Sequence, residues 1–453
     1  MNSPENKTAV FPKTFWTANT IELFERGAYY AMASFMVIYL KENLGMSPTF
    51  ATFLNGSLLW GLIYFLPIVS GTLADKYGFK RSLVAAFIML SLGYLVMGNI
   101  QTFWPVARNY TIPVILGIIL IGLGGSIVKP CIAGTVQKTS GLRATFGFGI
   151  FYMVINIGSI SGRIVAFFVR TRSGLGIPAI FFPVAFIFAI VGLLIVFFIF
   201  HEPEYVPDGK KDGQVAAKKT LGQALLGIFT ILSNWKFDFF LLVIGMFWIL
   251  YIQLYNLVPL FLRWIDPQAP VEIYTLVNPI MIVSLQLLIT RLAKKWTPVR
   301  SIILGVMVTT IGMLVNMLAP LLFADISLKV TLMRMGNFHI FLPIAGLFLI
   351  VSIASMALGE MFASPRIYEY IGAIAPKGQE GLYLGYANLP VALGTIVGAP
   401  MGGRLFETFI SDPVKNGLPA KPAVMWLIVA FMGVLSMLGL ALYDRFLMHK
   451  KQD

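Results

Sequence analysis

Long apolar stretches recur along nearly the whole chain, and they leave it little but a membrane to fold in. Hydropathy divides the 453 residues into about twelve candidate spans. They lie near residues 14–41, 50–75, 81–102, 111–137, 144–170, 178–200, 237–263, 272–295, 299–323, 339–371, 379–410 and 422–447. Each is near or above the roughly 20 residues that an α-helix needs to cross a bilayer. Helices also satisfy their own backbone hydrogen bonds, which lipid cannot do for irregular chain. Hydrophobic residues make up 58% of the chain and charged residues 12%, with a mean hydropathy of +0.82. No soluble globular protein of this length has that composition. The expected fold class is an all-α polytopic membrane protein. No cleavable signal peptide is expected, because the first dozen residues are polar and charges interrupt the first apolar run.

The only long polar connection runs from His201 to Lys236 and carries Pro203, Pro207, Gly209, Lys210, Lys211, Lys218 and Lys219. It predicts a six-helix lobe over 1–200, a basic linker over 201–236 and a second six-helix lobe over 237–453. Leu221 to Leu232 has the pattern of a short amphipathic helix on the membrane surface. With the N-terminus cytoplasmic, about 20 of the 34 basic residues fall on cytoplasmic segments and about 9 on the other side. Both termini and the linker are therefore expected to face the cytoplasm. The net charge of +14 resides in loops rather than in a soluble domain. It points to anionic lipid and not to nucleic acid. Cys131 is the single cysteine, a small packing residue that excludes an intrachain disulfide. His201, His339 and His449 lack metal-ligand spacing. With no phosphate loop, nucleophile elbow or zinc motif, neither an enzyme nor a bound cofactor is expected.

Charges inside the spans narrow the reading. Glu22, Glu25 and Arg26 lie in the middle of the first span, followed by Tyr29 and Tyr30. Glu22 and Arg26, four residues apart, share a helix face. Intramembrane charges are costly and default to a functional role. Two uses are open: a self-neutralised pair that locks helices together, or the handling of a substrate or proton. At about 1.5 Å per residue, Arg26 lies about 18 Å from the cytoplasmic face, Lys129 about 12–13 Å and Glu360 about 16–17 Å. All three fall near the midplane of a core about 30 Å thick, as do Tyr64 and Asn156. Arg26 and Lys129 can hold a carboxylate, and Glu360 an ammonium group or a proton. Lys129 and Glu360 form either an interlobe salt bridge that opens with protonation or a permanent one with no ligand role.

The loop Gly71-Thr72-Leu73-Ala74-Asp75-Lys76-Tyr77-Gly78-Phe79-Lys80-Arg81 resembles the signature loop of the major facilitator superfamily, G-x-x-x-D-[RK]-x-G-[RK]-[RK]. Asp75 with Lys80 and Arg81 reads as a charge latch beside a turn at Gly78. A weaker counterpart, Arg291 to Arg300, follows the eighth span. The resemblance implies two lobes of six helices with binding between them. Further motifs resemble the proton-coupled oligopeptide transporter family. Glu22-x-x-Glu25-Arg26 with Tyr29 and Tyr30 is similar to E-x-x-E-R-F-x-Y-Y. Ile127-Val128-Lys129-Pro130 is similar to G-x-I-K-P, and Phe151 to Ser159 to F-Y-x-x-I-N-x-G-S. Phe247-Trp248 with Gln253, Asn278-Pro279, Gly359 to Pro365 and Ala375-Pro376 follow in family order.

This resemblance implies symport of di- and tripeptides by alternating access, driven by a proton gradient and without a cofactor. Glu22, Glu25 and Arg26 would couple protons. Arg26 and Lys129 would face the peptide C-terminus and Glu360 the N-terminus. Tyr30, Tyr64, Asn156 and Asn278 would line the pocket. The chain departs from the pattern at Gly27, where the motif has Phe, and at Ile252, where an acid often precedes Gln. No Trp lies near Tyr386, and Arg163 is an added cation two turns beyond Asn156. It serves as an anion contact or simply reaches the outer interface. Another small anion or zwitterion as cargo, and a non-transporting receptor or scaffold, stand as alternatives. Pro365, five residues after Glu360, predicts a kink that serves as a gate. The expected setting is the plasma or inner membrane, and the expected state a monomer.

Overall fold

The computed structural model describes residues 11–106, 109–204, 222, 234–335, 338–374 and 386–445. Ten of its helices are long and apolar enough to cross a membrane: α3 (Phe79–Gly98), α4 (Thr111–Ser140), α5 (Phe146–Arg172), α6 (Ile180–Phe198), α7 (Trp235–Ile265), α8 (Val271–Lys295), α9 (Pro298–Leu322), α10 (Ile344–Ile374), α11 (Leu389–Lys415) and α12 (Pro422–Tyr443). An eleventh, α2, is a bent pair, Pro48–Phe65 and Pro67–Tyr77, at 42°. The twelfth is α1 (Lys13–Ala33), prolonged through Met36–Ile38 and Tyr39–Asn43. Its charges set it apart from the other apolar spans. The protein is a multi-pass membrane protein of the all-α class. The side on which α1 begins and α12 ends is here called the terminal face; the other side is the distal face.

Small residues bring the helices together. A Cβ on Gly162 would overlap the carbonyl oxygen of Gly27, and one on Gly158 would come within 2.6 Å of the Leu23 oxygen. Only glycine permits this approach of α5 to α1, as is common where packing in lipid relies on van der Waals contact. A Cβ on Gly27 would meet the Phe188 ring of α6. The phenylalanine that the motif places on α1 is thus replaced by one arriving from α6.

Two features differ from the sequence expectation. Two strands, β1 (Lys329–Met335) and β2 (Phe338–Pro343), pair antiparallel with Lys329 opposite Pro343. α10 therefore begins at Ile344 and not at 339. Alternating β-prone residues around Gly336-Asn337 are a hairpin signature, and the long apolar run hid them. Lys329 pairs with Asp266 at 3.1 Å, which ties β1 to the α7–α8 connection. α10 continues as one helix through Pro365, and α4 through Pro130. The second difference is a break in α2, just before Pro67, whose missing N–H interrupts the ladder. The surface helix expected at Leu221 to Leu232, and the Ala375-Pro376 motif, lie outside the described residues.

Candidate functional site

The charges of α1 are buried as a unit. Glu22, Glu25 and Arg26 are 0%, 1% and 5% exposed. Arg26 Nε donates to Glu25 Oε2 and lies 3.3 Å from Glu22 Oε1. The hydrogen bond goes to Glu25, and neither oxygen of Glu22 has a hydrogen-bond partner among the described residues. The guanidinium carbon lies 5.1 Å from the Tyr29 ring centre and 6.0 Å from that of Tyr30, within cation–π range.

Counted from the terminal ends of their helices, Arg26, Lys129 and Glu360 sit about 20, 17 and 21 Å deep. They share a level, as the sequence predicts, but the salt bridge expected between Lys129 and Glu360 is absent. Lys129 Nζ instead lies over the Tyr64 ring, 4.8 Å from its centre. Glu360 Oε2 accepts from the Tyr251 hydroxyl at 2.8 Å and from Asn278 Nδ2 at 3.2 Å. Each partner is satisfied within its own half of the molecule. Tyr30, Tyr64, Lys129 and Glu360 are all half-buried. Asn156 is buried and donates to the Tyr152 carbonyl of its own helix at 2.9 Å.

The distal side of this level is sealed. Arg170 of α5 pairs with the buried Glu272 of α8 at 2.9 Å. Arg263 of α7 meets Glu42, beyond α1, through two nitrogens at 3.1 and 2.5 Å, a fork geometry that adds strength. Glu407 of α11 accepts from the Thr49 backbone at 3.0 Å and its hydroxyl at 2.6 Å. Asn55 donates to Asn256 at 3.1 Å. Among the described residues, the hydrogen bonds and ion pairs between the first six spans and the last six all lie in the distal half or, at Ser57 and Ile396, near the midplane. The half-buried side chains of the central level lie on the terminal side of this belt, as do the exposed Tyr152 and Tyr368.

Arg163 belongs to this seal. It is fully buried. Its Nε donates to Thr275 Oγ1 at 3.0 Å and Ser34 Oγ at 3.2 Å, one terminal nitrogen to Ser159, and the other to the Tyr255 hydroxyl at 3.4 Å. It does not reach an outer interface, one of the two roles its position left open. The signature loop is likewise built differently from its sequence reading. Gly78 takes φ 91°, a conformation that favours glycine. No ion pair joins Asp75 to Lys80 or Arg81. The latch is Glu202, beyond α6, which accepts from the Phe79 and Lys80 backbone N–H groups at 3.1 and 2.8 Å. These are free donors at the start of α3, where an anion is favoured.

Tyr251, Glu202, Glu272 and Thr275 are absent from the sequence reading. Tyr251 was within its reach: about 24 Å from the terminal end of α7, it matches the depth of Glu360.

A model of the Major Facilitator Superfamily matches residues 21–344. Dipeptide and tripeptide permease A of Yersinia pestis is 31% identical over 235 residues, 49% of this chain and 44% of that protein. The protein of the same name from Escherichia coli (strain K12) is 31% identical over 188 residues, 41% of this chain and 35% of that protein. The alignments span less than half the length of these curated relatives. A crystal structure of a POT family transporter in complex with 5-aminolevulinic acid superposes with a TM-score of 0.73 at 16% identity, covering 97% of both chains. A structure from work on substrate recognition in proton dependent oligopeptide transporters gives 0.70 at 20% identity, covering 96% of this chain and 99% of that one. At that identity the likeness is one of fold.

Proposed function

The chain belongs to the Major Facilitator Superfamily, and on that premise we propose that it is a proton-coupled symporter of di- and tripeptides. The observation that carries this reading is that cations of the first half and a carboxylate of the second lie at one depth without pairing with each other. Arg26 and Lys129 on one side and Glu360 on the other match the two ends of a zwitterion. Lys129 and Glu360 do not neutralise each other, so both are available to a ligand. The permease relatives supply the substrate class.

In this reading Arg26 and Lys129 hold the peptide carboxylate, and Glu360, steadied by Tyr251 and Asn278, holds the ammonium group. Tyr30, Tyr64 and Asn156 line the space between. Glu22 takes the proton: neither of its oxygens has a hydrogen-bond partner among the described residues, so protonation need not disturb the Arg26–Glu25 bond. The two lobes, 1–200 and 237–453, rock about the site with the basic linker 201–236 between them. Both termini face the cytoplasm, in keeping with the basic residues of that side. The proton gradient is the energy source, with no cofactor, and one chain holds a complete pathway in the plasma or inner membrane, next to anionic lipid. Pro365 leaves the Met361 carbonyl of α10 without its usual donor, so flexing during turnover is assigned there.

The test is uptake of labelled dialanine into proteoliposomes under an inward proton gradient. Accumulation that collapses with an ionophore and with Glu22→Gln is the expected result. No uptake by folded protein would overturn the peptide reading.

A further inference from the structure

Arg163 is a buried cation whose shell contains no anion. Its partners are the hydroxyls of Ser34, Ser159, Thr275 and Tyr255, the Ser159 carbonyl and the face of Tyr30, 4.8 Å from its guanidinium carbon. Among the described residues no carboxylate comes within ion-pair distance of it. A guanidinium never loses its proton and is shaped to grip a carboxylate with two parallel N–H groups. Leaving such a charge among neutral groups away from water is costly. The contrast lies seven residues along the same helix, where Arg170 has Glu272 as its counterion.

We propose that Arg163 is a carboxylate-binding site of the distal-open state, which takes the peptide C-terminus before it passes to Arg26 and Lys129. This rests on the peptide-symport reading above. Two of the four hydroxyls, Thr275 of α8 and Tyr255 of α7, belong to the second half. Opening the distal face withdraws both and leaves one guanidinium edge directed into the opened space, while Ser34 and Ser159 keep the side chain aligned. Arg163 then stands about 10 Å distal to Asn156 on the same helix, on the route to the central level. Tyr30 connects the two places, since its ring has Arg163 on one side and Arg26 at 6.0 Å. Substrate and seal compete for the same N–H groups. A carboxylate still on Arg163 keeps Thr275 and Tyr255 from returning, so the distal face closes only after the substrate has moved inward.

The test uses the full chain inserted in one orientation in proteoliposomes. Half-saturation is measured from each face for dialanine and for its C-terminal amide. Arg163→Gln is expected to raise half-saturation for dialanine about tenfold from the distal face, to leave the terminal face within twofold, and to leave the amide unchanged. Arg163→Lys restores part of the loss. Thr275→Val removes only the competing hydroxyl and is expected to tighten distal dialanine binding without tightening the amide, which keeps the proposal testable if Arg163→Gln does not fold. Equal changes on both faces, equal changes for dialanine and its amide, or loss of distal affinity in Thr275→Val would overturn it. Absence of dialanine transport by the wild-type chain would overturn the peptide reading instead, and this proposal with it. Normal wild-type transport with an unaffected Arg163→Gln would overturn this proposal alone.

Discussion

On α1 three charges answer one another within five residues: Arg26 is bonded to Glu25 and lies beside Glu22, all nearly inaccessible. On α10 Glu360 has no cation at all and is held by a phenol and an amide. The α1 cluster is electrostatically nearly complete in itself, while Glu360 is short of one positive charge. A buried pair broken by removing one partner leaves an uncompensated charge, whereas a carboxylate held by neutral donors invites a cation. The cluster on α1 is therefore suited to a proton, which changes its balance by one. Glu360 is suited to an ammonium group arriving with the substrate.

Glu22→Gln should break this contrast most severely. It fixes α1 in the proton-loaded state, so gradient-driven accumulation of dialanine should fall by more than about tenfold while exchange without a gradient continues. Comparing accumulation with counterflow in the same vesicles checks this, and equal loss of both would refute a coupling role. Next in size is Glu360→Gln. Losing one partner of a buried charge-assisted contact costs about 2 kcal/mol or more, so dialanine binding should weaken about 30-fold. Tyr251→Phe removes one hydrogen bond to the carboxylate, worth about 1.5 kcal/mol. An affinity loss of about tenfold is expected, read by calorimetry, with the coupling ratio unchanged. The smallest effect belongs to Pro365→Ala, which restores a donor within a helix that is already continuous. Turnover should slow about threefold with affinity held within twofold; unchanged turnover would remove Pro365 from the mechanism.

The same contrast explains what could be read from the sequence. Spans and buried charges follow from hydropathy and the fixed rise of a helix, so the shared depth of Arg26, Lys129 and Glu360 is legible in the sequence. Pairing is not. Depth arithmetic gives a level but no azimuth, so it joined Lys129 to Glu360, while in the structure each turns to its own half, to Tyr64 and to Tyr251. Contacts across the divide were less legible still. Arg163 with Thr275, Arg170 with Glu272 and Asn55 with Asn256 join residues at least 100 positions apart, and no local pattern links them. Glu202 was missed because its partners are backbone N–H groups, which leave no trace in side-chain chemistry. The pairing of β1 with β2 shows the opposite failure, a local signal masked by the hydrophobicity around it.

The central claim is that Glu360 reads the amino end of a ligand whose carboxylate lies on the first half. A double cycle tests it most directly: binding of dialanine and N-acetyl-dialanine to the wild-type chain and to Glu360→Gln. The account predicts that acetylation and substitution each weaken binding about 30-fold and together scarcely more than either alone, because both remove the same contact. Losses that multiply would place the ammonium group elsewhere and contradict the account.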